Sequence, residues 1–128
     1  MEEIIFLIGR ILFGGFFLMF GIMHFKKKND MIELAKSKDV SNPKMAILGT
    51  GTLLTLGGVG IIVGSFIQVA IAFLLIFLVP TSFIMHKFWK ESNPEKKTTQ
   101  MIMFMYNMAL IGVLLMLFIM GGPWPVSL

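Results

Sequence analysis

Between Met45 and His86 the chain runs for 42 consecutive residues without a formal charge. As one α-helix rising about 1.5 Å per residue, that stretch would reach about 63 Å, roughly twice the ~30 Å hydrocarbon core of a bilayer. It must fold back on itself. The turn falls at Gly64-Ser65, because glycine takes the left-handed backbone conformation that ends a helix. Charges elsewhere are confined to Glu2 and Glu3, to the stretch Lys26 to Lys44 and to the stretch Lys87 to Lys97, with Arg10 the single exception. The pattern predicts four spans, at about 4–25, 45–63, 66–86 and 100–120, and an all-α fold class, an integral membrane four-helix bundle occupying residues 1–128 as one domain.

Composition narrows the chemistry. The chain is 56% hydrophobic and 14% charged, where a soluble domain carries about a quarter charged residues, and four spans leave no room for an appended soluble domain. The absence of cysteine excludes disulfides, thioether-linked haem and thiolate-held iron–sulfur clusters. Two histidines and seven carboxylates without metal-ligand spacing argue against a metal site. Glu2-Glu3 stands where a cleavable signal peptide has its basic residues, and the apolar stretch behind it is too long for one.

The loops set the orientation. Ten lysines lie in the two charged stretches, on one side of a four-span chain, and none lies on the other. The positive-inside rule then places those loops in the cytoplasm and both termini outside; the expected location is the cytoplasmic membrane of a prokaryote. The net charge of +4 comes from these clusters and points to anionic lipid headgroups rather than nucleic acid. Within the first loop Met31, Ile32, Leu34 and Ala35 alternate with charged residues, as in a short amphipathic surface helix or a solvated linker. Ser41-Asn42-Pro43 and Ser92-Asn93-Pro94 both read as a helix N-cap followed by proline in the first turn. Met23-His24-Phe25 and Met85-His86 with Phe88 rhyme in the same way, as a duplicated helical hairpin or as a shared juxtamembrane bias. Pro80 predicts a kink in the third span, with Thr81 and Ser82 available to the freed carbonyl groups.

In the first span Arg10, Gly14, Phe17, Gly21 and His24 share one helical face, and its small residues predict the buried side. Arg10 reads either as an anchor or helix-pairing donor that snorkels toward the outer surface, or as a ligand-binding group. Gly57, Gly58, Gly60 and Gly64 make the second span the most tightly packed, with Gly112 a further small residue in the fourth. His24, His86 and Asn107, with Tyr106, Thr50 and Thr52, fall at similar depth toward the cytoplasmic side. Such a layer, with Trp89 as an apolar wall, suits a quinone headgroup or a proton shuttle. Interfacial histidines and interhelical hydrogen bonds without any function are the other reading.

Gly9-Arg10, Gly21 with His24, Gly57-Gly58 and Gly64, His86-Lys87-Phe88-Trp89, and Asn107 through Gly112 occur in an order that resembles the DoxX family of small four-helix membrane proteins over nearly the whole chain. The family often has a carboxylate about a turn before the double glycine, where this chain has Leu54 and Thr55, so Arg10 lacks that partner. The resemblance implies a quinone-linked redox role, since related DoxD proteins belong to a membrane thiosulfate:quinone oxidoreductase. It equally implies a scaffold role, since eukaryotic relatives act as assembly chaperones. The expectation is a redox-associated subunit with no cofactor of its own beyond a quinone, and with Arg10, His24, His86, Trp89 and Asn107 as ligand contacts. The alternative is a non-enzymatic scaffold or assembly factor. Expected partners are membrane lipids, a redox or membrane-protein partner and a second copy of the chain. Proton- or ion-coupled transport is disfavoured, because the second to fourth spans contain no carboxylate.

Overall fold

The computed structural model describes residues 1–128. Five helices follow one another: α1 (Glu2–Lys26), α2 (Lys28–Ser37), α3 (Pro43–Val63), α4 (Ile67–Met85) and α5 (Pro94–Met120), with a 3-10 turn at Phe88–Lys90. Four of them, α1, α3, α4 and α5, are long and apolar enough to cross a membrane. The chain is an all-α integral membrane protein. Its helices pack in series, α1 on α3, α3 on α4 and α4 on α5, while α2 rests mainly on α3 at the Lys-rich end.

Glycine sets the spacing of this series. A Cβ added at Gly14 would lie 2.7 Å from the Gly58 carbonyl oxygen, and one at Gly58 would lie 2.6 Å from the Leu18 amide nitrogen. The backbones of α1 and α3 therefore touch, which is how helices associate where lipid offers no hydrophobic drive. The residues buried on α1 are Arg10, Gly14, Phe17, Gly21 and His24, the same face that the spacing picks out. Across the α3–α4 contact a Cβ at Gly57 would meet Leu74 at 2.6 Å and one at Gly60 would meet Ala70 at 2.6 Å. Gly112 differs from its expected packing role: nothing lies within 4 Å of an added Cβ. Leu114 is the only buried residue of α5. Phe17, Leu54, Ile61, Ile71, Leu74, Leu78 and Leu114 fill the centre.

Helix ends decide where the chain turns. Gly64 (φ 74°) caps α3 in the left-handed region, donating to the Gly60 carbonyl at 2.9 Å, and Phe66 (φ 51°) precedes α4. The two Ser-Asn-Pro segments part company. Asn93 has extended backbone and its side chain accepts from the Glu95 and Lys96 amides, whereas Asn42 (φ 47°) makes no side-chain cap. Capping needs a β-region residue, and the left-handed backbone at Asn42 does not provide it. The alternating segment 31–35 is helical. It ends in a Schellman motif, Val40 N–H to Ala35 O at 3.1 Å and Asp39 N–H to Lys36 O at 3.0 Å, with Asp39 left-handed (φ 59°) where glycine is usual. Pro80 sits inside an unbroken α4; Ser82 donates to the Leu78 carbonyl at 2.7 Å, not to the Ile76 carbonyl that the proline deprives of its donor.

Candidate functional site

Polar side chains gather at the two ends of the bundle. At the terminal end Arg10 is buried and reaches the last turn of α3. Its Nε donates to the Ile61 carbonyl at 3.2 Å and its Nη2 to the Ile62 carbonyl at 2.7 Å. Nη1 donates to the Pro125 carbonyl, and Nη2 also to the Val126 carbonyl at 3.1 Å. The Leu128 amide donates to the Val63 carbonyl at 3.0 Å. A helix leaves its last carbonyls without partners and concentrates negative charge there; the guanidinium and the segment 121–128 answer both. The rings of Phe6 and Trp124 lie 6.0 and 5.8 Å from the guanidinium carbon. Arg10 thus ties α1, α3 and the C-terminal segment together, and carbonyl groups stand where a carboxylate partner is missing.

At the Lys-rich end a cavity of about 350 Å3 opens between α1, α2, α3 and α4. Its walls are apolar, with Phe20 and Phe77 on one side and Met31, Leu34, Ala35 and Val40 of the α2 segment on another. His24, Thr50, Thr81 and His86 are its polar lining. His24 is buried, with Nδ1 2.9 Å from the Phe20 carbonyl oxygen and its ring edge-on to Phe20 and Phe77. His86 follows α4 and holds Nδ1 2.7 Å from the Gln100 side-chain oxygen on α5. The Thr50 hydroxyl donates to the Ala46 carbonyl at 2.7 Å. Ile76 and Pro80 both line the cavity, so the carbonyl freed by the proline lies on the helix stretch that forms this wall.

Of the residues singled out from the sequence, His24, His86 and Thr50 meet in this cavity; Arg10, Trp89 and Asn107 do not line it. Arg10 belongs to the terminal end. Trp89 stacks edge-on with Phe88 and Phe104 near the start of α5. Asn107 is half-buried on α5, Tyr106 is exposed, and Thr52 faces outward with its hydroxyl on the Leu48 carbonyl. Sequence reasoning missed Gln100, whose role depends on how α5 lies against the end of α4. It also missed the α2 wall, for which the alternation at 31–35 was the available signal. No cluster of three metal-ligating side chains is present.

A family model described as DoxX matches residues 5–87, from α1 to the end of α4. The matched stretch takes in Arg10, the close α1–α3 and α3–α4 contacts and the residues lining the cavity, and stops short of Trp89, Gln100, Asn107 and Gly112. No curated protein and no solved structure matches the chain.

Proposed function

The chain belongs to the DoxX family, and from that premise we propose that it is a redox-associated membrane subunit holding a quinone-class ring in the cavity at its Lys-rich end. The observation that carries this reading is an apolar cavity of about 350 Å3 that two histidines line. A flat, apolar ring with two opposed oxygens fits such walls, and ligand sites are typically apolar clefts with a few placed polar groups. His24 and His86 orient the oxygens, Phe20 and Phe77 together form one apolar wall against the ring, and α2 forms another. The quinone supplies two-electron, two-proton chemistry when bound. The chain carries no electron carrier, so electrons pass to or from a partner. The lysine asymmetry supports placing this end in the cytoplasm of a prokaryotic cell, with both termini outside.

Purification in mild detergent followed by quinone extraction tests the reading. The wild type should retain a quinone-class ring, measured as quinone plus quinol, and His86→Ala should weaken that total retention by about 1–3 kcal/mol, the cost of a lost buried hydrogen-bond partner. Asn107→Leu, outside the cavity, should leave it unchanged. A well-folded wild type that retains neither form overturns the proposal. A second reading, a scaffold for other membrane proteins, is favoured by α5, whose Met105, Tyr106, Met116 and Ile119 are all exposed. It predicts co-purification of one membrane partner, or of a second copy, without quinone.

A further inference from the structure

Most of the polar hydrogen atoms around the cavity are already committed. A backbone carbonyl only accepts, so the 2.9 Å contact between His24 Nδ1 and the Phe20 oxygen puts the ring hydrogen on Nδ1. In the neutral imidazole Nε2 is then a bare acceptor. No buried side-chain nitrogen or oxygen lacks a partner, and His24 Nε2 makes no hydrogen bond; it is therefore open to a visitor, and the cavity is the space that His24 lines. His86 repeats the arrangement, since its Nδ1 donates to the Gln100 oxygen at 2.7 Å and leaves Nε2 free. Thr50 donates its hydrogen to Ala46 and keeps its lone pairs. The Ile76 carbonyl, without the amide that Pro80 lacks, is a further acceptor. Thr81 is the one polar side chain on the wall whose hydrogen is uncommitted.

From this inventory we propose that the cavity selects an aromatic diol, the quinol form, over the corresponding quinone. The proposal rests on the quinone-class reading and adds the oxidation state. A quinone brings only acceptors, so on entry it faces lone pairs on both imidazoles, with the Thr81 hydroxyl the one side-chain donor left for its two oxygens. A diol of the same shape brings two O–H donors, which meet the Nε2 atoms of His24 and His86. The carbon skeleton and its shape are the same in both forms, so the preference comes mainly from the direction of the hydrogen bonds.

Equilibrium dialysis of the purified full chain against durohydroquinone, under argon with reductant, and against duroquinone reads this directly. The measurement is made near pH 8 for both ligands. The diol should bind about tenfold tighter or more, the difference expected when buried oxygens are paired rather than unpaired. His24→Phe keeps an aromatic ring in place and removes one of the two acceptors; it should narrow the preference by weakening the diol more than duroquinone. If that variant does not fold, His86→Phe, at a half-buried position, should narrow the preference in the same way. Equal binding, or tighter binding of duroquinone, overturns this inference and leaves the quinone-class reading standing. A folded wild type that binds neither overturns both.

Discussion

Arg10 shows how much a single side chain can organise in a membrane. Of its five N–H groups, four reach carbonyl oxygens of Ile61, Ile62, Pro125 and Val126. Lysine has the charge without the planar fork. Arg10→Lys should therefore release the segment 121–128 and cost about 2–4 kcal/mol, one or two charged hydrogen bonds' worth. The measurement is the thermal midpoint in detergent, together with faster hydrogen exchange at the Leu128 amide; unchanged exchange there would count against the latch. The sequence placed Arg10 on one face with Gly14, Phe17, Gly21 and His24, because helical periodicity is visible in residue types. It did not show what Arg10 binds, because backbone carbonyls have no sequence signature and residues 121–128 carry no apolar period. The same blindness hid Gln100, whose partner His86 lies 14 positions away.

Among the elements, identical tripeptides end in different structures, and stability should separate them. Asn93→Ala removes an acceptor of two amide hydrogens at the start of α5 and should cost about 1 kcal/mol. Asn42→Gly, at φ 47° with no side-chain cap, should be neutral or stabilising, because glycine takes that backbone without strain. Equal losses at both sites would contradict the distinction. The helix contacts divide in the same way. Gly58→Ala drives a methyl into the Leu18 backbone and should destabilise by about 1–3 kcal/mol, whereas Gly112→Ala meets open space and should gain about 0.5–1 kcal/mol in helix propensity. Thermal midpoints of the two variants check both signs. Glycine content marked α3 as a close-packing helix, since a GxxxG pattern has one main physical use in a bilayer. It could not tell Gly112 from Gly58, because closeness depends on the partner helix.

For the whole molecule the bilayer did the constraining. Hydrocarbon thickness converts a charge-free run into two spans and a turn, so the four long helices were legible from charge positions alone. The cavity was less so: His24 and His86 are at one depth by counting, but the wall that closes over them is α2, a helix too short to be stable by itself and held by packing on α3. The lysine asymmetry is the ground for the proposed orientation. A reporter active only in the cytoplasm, fused after Leu128, should stay silent, and strong signal there would reverse the topology. The central claim is that the Lys-rich end holds the ligand, and a photoreactive quinone analogue mapped by mass spectrometry tests it most directly. Crosslinks should fall on the cavity residues Met31, Ile76 and Met85 and be displaced by excess unlabelled ligand. Displaceable labelling confined to the opposite end, in the cleft lined by Glu3, Phe6 and Trp124, would contradict it.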